Sequence, residues 1–168
     1  IRLSKRNTLC KKCSVITQTR DLMFDWIAFD ADDTLWHNET LYSGAQARLR
    51  ELLAPCADGA TVDRALYAKE MSNLAIYGYG IKSFALSMIE TAIDLSAGRI
   101  TGTEVREIIG FARDMLTTEV RLFEDAARTV EELSATHRLM LITKGDLRDQ
   151  ERKLSQSGLR RCFEAVEI

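Results

Sequence analysis

Long apolar runs are missing from this 168-residue sequence. No stretch approaches the roughly 18–20 residues that a helix needs to cross a bilayer, so no membrane partner is expected. Residues 1–22 also lack the continuous apolar segment of a secretory signal. Cysteine is scarce: Cys10, Cys13, Cys56 and Cys162 are too few and too scattered for a disulfide scaffold. A reducing, cytoplasmic location is the expectation. Cys10 and Cys13 have the CxxC spacing of half a zinc site, but no second pair follows, and neither His37 nor His137 has ligand-like spacing to them. Structural zinc is therefore not expected. A strong charge of one sign is lacking too. The net is −2, which gives no pull toward nucleic acid or an anionic membrane.

That charge is unevenly spread. Residues 1–22 hold six basic side chains (Arg2, Lys5, Arg6, Lys11, Lys12, Arg20) and one acid, Asp21. Taking these from the totals of 23 basic and 25 acidic residues leaves 17 against 24, so the remainder is acidic, at −7. Residues 1–22 show no clear period, open on Ile1, and precede Met23, which stands just before the first convincing strand. They read as a basic disordered leader or a non-native extension. With 46% apolar and 29% charged residues, the rest has the profile of a globular domain.

Phe24-Asp25-Trp26-Ile27-Ala28-Phe29-Asp30 crowds apolar and aromatic residues into a short run ending on an acid, the pattern of a buried parallel strand. A polar turn, Ala31-Asp32-Asp33-Thr34-Leu35, follows. Residues 43–119 then show helical periodicity only. Ser43 is placed to cap a first helix that stops at Ala54-Pro55, the lone proline, and Thr61 to cap a second. Tyr77-Gly78-Tyr79-Gly80 breaks the second helix, Gly98 closes a third, and Thr103-Glu104 opens a fourth. A fifth helix is expected over about 125–135. Arg138 to Thr143 is a second short apolar run ending on a polar residue, followed by the turn Lys144-Gly145-Asp146 and another helix. Residues 163–168 suit a third strand. Strands alternating with helices predict an α/β fold, a Rossmann-like parallel sheet with right-handed crossovers.

Ligands of an open parallel sheet bind beyond the carboxyl ends of its strands. Asp30 and Asp32 follow the first run and Thr143 the second. Carboxylates at i and i+2 on a tight turn suit a hard divalent cation, or a division of labour between nucleophile and acid. The turn after Thr143 lies at a helix N-terminus, where backbone N–H groups favour a phosphate. Each residue alone is as readily a turn former or cap. Their equivalent placement at two strand ends sharpens the case.

Phe29-Asp30-Ala31-Asp32-Asp33-Thr34-Leu35 resembles the first motif of the haloacid dehalogenase-like hydrolases, DxDx[TV] after a hydrophobic strand. Leu141-Ile142-Thr143-Lys144-Gly145-Asp146 is similar to the second. Gln150, Lys153-Leu154, Gly158-Leu159 and Phe163 resemble the helix and loop that follow it in the branch with a helical cap. The resemblance implies a core of residues 23–42 and 120–168 with an inserted α-helical cap over 43–119. It implies that Asp30 is the nucleophile of an aspartyl-phosphate phosphatase and Asp32 the general acid and base. Mg²⁺ would be held at Asp30 and Asp32, through the carboxylate of the first and the backbone carbonyl of the second. Thr143, Lys144 and Gly145 would bind phosphate, while Trp36, His37 and Asn38 would gate the substrate.

Asp32 also bears on the branch, because displacing halide needs no proton whereas an ester's leaving oxygen does. The resemblance further implies a third-motif lysine and a fourth acidic motif beyond the third strand. Neither is met before Ile168, so an incomplete fragment with weak metal affinity is the expectation. Lys153 reads as a solvated helix residue. The expected partner is a small phosphorylated metabolite. A catalytically silent interaction module with the same fold is the alternative. Oligomeric state is not readable from the sequence.

Overall fold

The structure, a computed structural model, describes residues 25–168. The basic leader and the CxxC pair lie outside the described residues. Three strands form one parallel sheet in the order β1-β2-β3: β1 (Trp26–Phe29), β2 (Arg138–Ile142) and β3 (Ala165–Glu167). Trp26 to Phe29 stand opposite Arg138 to Leu141, and Met140 to Ile142 opposite Ala165 to Glu167. Between β1 and β2 run five helices: α1 (Glu39–Leu53), α2 (Gly59–Tyr77), α3 (Ile81–Leu95), α4 (Gly102–Thr117) and α5 (Ala126–Ser134). α6 (Leu147–Gln156) and a short 3₁₀ turn (Arg160–Cys162) join β2 to β3. The expected α/β class and parallel sheet are found. None of the helices is long and apolar enough to cross a membrane, among the described residues.

β1 departs from expectation. None of its four residues is buried, and Trp26 remains 37% exposed. Among the described residues β1 pairs on one side only, with β2. An apolar run signals burial only when both edges and both faces are covered. Half-buried Ile27 and Phe29 face the core, and Phe29 meets Phe163 edge-on at 6.1 Å.

Two separate cores form. Helices α1–α4 pack around Leu49, Leu66, Ile81, Met88, Ile108 and Phe111, all essentially inaccessible to solvent. Each such side chain contributes about 1.5–3 kcal/mol relative to exposure. The second core joins Leu139 and Leu141 of β2 to Val130, Leu154, Leu159, Phe163 and Trp36. The two chain crossings between these units run side by side. His37 N–H donates to Arg121 C=O (3.0 Å), and Phe123 N–H donates to Leu35 C=O (3.0 Å).

Helix starts differ from the sequence expectation where capping comes from a distance. α1 begins at Glu39 rather than at Ser43, because the Asp33 carboxylate accepts from the N–H groups of Asn38 (2.9 Å) and Glu39 (2.9 and 3.0 Å). Asp58, not Thr61, caps α2 by accepting from Thr61 N–H. Thr101 and Glu104 form a reciprocal capping box on α4. Asp33 sits at φ +57°, a conformation that Asp and Asn tolerate better than Ala. Asp33→Ala is therefore expected to lower stability by about 1–2 kcal/mol, while Asp33→Asn keeps most of it. Urea unfolding of the two variants checks this.

Candidate active site

β1 ends in the turn that carries both candidate carboxylates. The turn is closed by Leu35 N–H donating to Ala31 C=O (2.8 Å) and Asp33 N–H donating to Trp36 C=O (2.8 Å). Asp30 is exposed, and the Thr34 hydroxyl donates to its Oδ2 at 3.0 Å. Parallel register sets Phe29 beside Leu141, so Asp30 and Thr143 leave neighbouring strand ends. Thr143 is buried, its N–H bonded to Glu167 C=O (3.0 Å).

Three donors meet the Asp32 carboxylate. Trp36 Nε1 donates to Oδ1 (2.7 Å) and Gln150 Nε2 to Oδ2 (2.8 Å). Lys153 Nζ donates to both oxygens (2.7 and 2.9 Å). Lys153 also reaches Asn38 Oδ1 at 3.3 Å and Asp149 at 3.5 Å. A carboxylate with only donors around it is in the acceptor arrangement of the ionised form.

Lys153 corrects the sequence expectation. It is 5% exposed and belongs to the site, not to solvent. α6 buries Asp149, Gln150, Lys153 and Leu154 on one stripe, and the polar part of that stripe faces Asp32. The available signal was spacing: Asp149, Gln150 and Lys153 share a face with Leu154, a core residue.

The other sequence-singled residues divide. Trp36 is fully buried and acts as a core residue that holds Asp32. His37 packs against Phe123, with ring centroids 3.9 Å apart and planes tilted by 43°. Asn38 lines a cavity. Lys144 is exposed, with Nζ 5.1 Å from the Tyr79 ring centroid, and its carbonyl accepts from Gln150 Nε2 (2.9 Å). Gly145 has φ +133°, and a Cβ there would stand 2.8 Å from Gln150 Nε2, displacing the amide that binds Asp32. Asp146 caps α6 and pairs with Lys82 of α3 at 2.8 Å; the Lys82 ammonium holds its carboxyl below the usual range. Gly80 approaches the same turn so closely that a Cβ would lie 2.8 Å from Asp146 N. The start of α3 thus rests on the Lys144–Asp146 turn.

Between the helical unit and the sheet end lies a cavity of about 320 Å³. Asp32, Lys144, Gly145, Gln150 and Lys153 line its floor, and Tyr42, Glu70, Leu74, Tyr79 and Phe84 its roof. Burial, and after it the carboxylates of Asp32, Asp149, Glu70 and Glu39, push the Tyr42 phenol well above its ordinary range. Burial first and Glu39 second raise the Glu70 carboxyl. A raised folded-state pKa favours folding below the unfolded-state range, and that contribution is lost as pH rises through the folded value. Glu70→Gln is therefore expected to raise Tm at pH 7 and to change it little at pH 3. Thermal melts at both pH values check it.

For Mg²⁺ the fit is partial. The Asp30 carboxylate and the Asp32 backbone carbonyl are hard oxygen donors of the right kind. The Asp32 carboxylate is taken by Trp36, Gln150 and Lys153. No group of three or more His, Cys, Asp or Glu side chains placed to hold a metal occurs among the described residues.

The profile of the haloacid dehalogenase-like hydrolases matches residues 24–168. The chain belongs to this family. A haloacid dehalogenase-like hydrolase of Xanthomonas campestris is 39% identical, with a TM-score of 0.80, over 85% of this chain and 60% of that one. L-2-haloacid dehalogenase of Xanthobacter autotrophicus, with chloropropionic acid covalently bound, shares 16% identity at a TM-score of 0.51, over 86% and 56%. A predicted phosphoglycolate phosphatase of Haemophilus somnus shares 19% at 0.51, over 86% and 62%. At those lower identities the likeness concerns the fold alone. No curated protein matches the chain. This haloacid dehalogenase-like hydrolase spans less than two thirds of the length of these three relatives. The fold is thus shared by structures named as a dehalogenase and as a predicted phosphatase.

Proposed function

We propose that this hydrolase cleaves phosphate monoesters of a small metabolite through an aspartyl-phosphate on Asp30, with Mg²⁺ as cofactor. The observation that carries the reading is the second carboxylate, Asp32, fixed two residues after Asp30 at the rim of a cavity with Lys144 and Gly145. Displacement of a halide has no use for such a group. An alkoxide leaving from phosphorus does.

Asp30 attacks phosphorus in line, forming an acyl phosphate as the ester P–O bond breaks. Asp32, once it has left its three donors and taken up a proton from solvent, gives that proton to the departing alkoxide. It then takes a proton from water, which attacks the acyl phosphate and frees inorganic phosphate from Asp30. Thr143 and the Lys144-Gly145 turn hold the phosphoryl oxygens. Mg²⁺ at the Asp30 carboxylate and the Asp32 carbonyl would neutralise charge on them. Helices α1–α4 act as the cap that shuts out water.

A second reading has a specific observation behind it. With Trp36, Gln150 and Lys153 all donating to Asp32, the carboxylate has no proton to give until it leaves them. A catalytically silent binding module would keep this arrangement permanently. Phosphate release from p-nitrophenyl phosphate with Mg²⁺ separates the two. It is measured on this chain and on a form lengthened by the codons that follow Ile168. Turnover in either supports the phosphatase, and its absence in both supports the silent module.

A further inference from the structure

The cavity has a polarity that the phosphoryl-transfer chemistry leaves unused. At its floor stands a cation, Lys144, beside the Gly145 turn. At its roof stands Glu70 of α2, half-buried and in no ion pair among the described residues. The other acids of the wall are accounted for: Lys153 Nζ lies 2.7 Å from Asp32 and 3.5 Å from Asp149, and Arg152 pairs with Asp149 at 2.8 Å.

A second unmatched acceptor lines the same cavity. Gln150 is 3% exposed, and its Oε1 has no hydrogen-bond partner among the described residues. Its amide orientation is fixed by Asp32 Oδ2 and the Lys144 carbonyl, both acceptors, so the nitrogen faces them and the oxygen is left over. Buried acceptors without donors cost stability and mark places where a bound group completes the set. Burial already disfavours the charged form of Glu70, so the group is held at a cost to the fold. The roof otherwise offers Met71, Leu74, Phe84, the Ser83 hydroxyl and the side chains of Tyr42 and Tyr79, and no Lys or Arg among the described residues.

We infer that the alcohol moiety of the substrate is a small hydrogen-bond donor, a hydroxylated or amino-bearing group that meets Glu70 and the Gln150 Oε1, and that carboxylate-bearing phosphate esters are rejected. The inference rests on the phosphatase reading for its phosphate end. An anionic tail would face Glu70 with no cation to offset it. A polyol or an ammonium group supplies the donors that both acceptors lack. The volume of about 320 Å³ holds a molecule of a few carbons beside a phosphate.

The test compares four esters: glycerol phosphate (hydroxyl donors), phosphoethanolamine (ammonium donor), phosphoglycolate (carboxylate) and p-nitrophenyl phosphate (none of these). Each is measured for kcat/KM and, with the Asp30→Asn protein, for affinity by calorimetry. The donor-bearing esters should exceed phosphoglycolate by at least about 100-fold, since like charges brought together in a site cost several kcal/mol. Glu70→Gln should cost the ammonium ester roughly tenfold by removing a charge-assisted bond, and cost the hydroxyl ester less. Glu70→Lys should reverse the order in favour of phosphoglycolate. The ratio of the two donor esters in the parent protein says which donor the site is built for. Preference for phosphoglycolate in the parent protein, or ratios unchanged in both Glu70 variants, would overturn the inference. Loss of turnover on all four esters, with the affinity order kept, would overturn the phosphatase reading and leave the donor site standing.

Discussion

Asp30→Asn removes turnover on every phosphate monoester, by on the order of 10⁴-fold or more, and leaves the fold as it was. Losing a covalent nucleophile removes the reaction path and not merely a contact, which is why such losses are among the largest that single substitutions produce. The fold is spared because Asp30 is exposed and, among the described residues, its side chain holds only the Thr34 hydroxyl, a bond that the Asn carbonyl oxygen accepts equally well. Steady-state kinetics beside a thermal melt separates the two effects. An unchanged Tm with turnover lost places Asp30 in the chemistry, whereas a fall in both gives it a structural part. Asp32→Asn differs in kind. It gives up the ion pair with Lys153 and puts an amide N–H against the ring of donors, so stability and turnover fall together.

Lys153→Met is expected to lower stability by about 3 kcal/mol, because breaking a buried pair leaves an uncompensated charge behind. At about 2–4 °C per kcal/mol for a chain of this size, Tm falls by roughly 6–12 °C. The stranded charge is mainly Asp32, since Asp149 keeps Arg152 at 2.8 Å. Turnover should fall as well, because Asp32 loses the cation that sets its position. Lys153→Arg tests this point: a longer, planar group with fixed donor geometry does not reproduce a point charge touching Asp32, Asn38 and Asp149 together. Adding Asp32→Asn to Lys153→Met should recover part of the lost stability, since the unpaired charge is then gone. A double-mutant cycle by urea unfolding reads that coupling.

Much of this fold was open to reading from the residues, for physical reasons particular to each element. The run from Arg138 to Ile142 alternates burial as a strand with one face on a core does, and its apolar character survives because β1 and β3 flank it. β1 carries the same kind of sequence and yet is half exposed, because composition records what a strand can bury and not what lies beside it. The motif acids fared likewise. Asp30, Asp32 and Thr143 at strand ends are local facts, visible from periodicity and punctuation. Lys153 lies 121 positions from Asp32, and its neighbours Glu151 and Arg152 are charged, so the local pattern reads as a wet helix. Only the packing of α6 against the β1 turn reveals that its polar stripe is the buried one. Trp36 shows the converse: chosen for a place in the loop, it turns out to be sealed in the core, where its indole N–H steers the acid. Glu70 gave no signal in the sequence, because a glutamate within α2 acquires meaning only once the cavity closes over it.

The most direct test of the account is to trap the covalent intermediate. The protein, as this chain and as the form lengthened past Ile168, is incubated with a phosphate monoester and Mg²⁺, quenched in acid, digested and weighed by mass spectrometry. One added phosphoryl group is expected on the peptide that carries Asp30, removed by hydroxylamine as an acyl phosphate is, and missing from Asp30→Asn. A phosphoryl group on another residue would contradict it. So would an Asp30 carboxylate that stays free with every ester but becomes alkylated by a 2-haloacid.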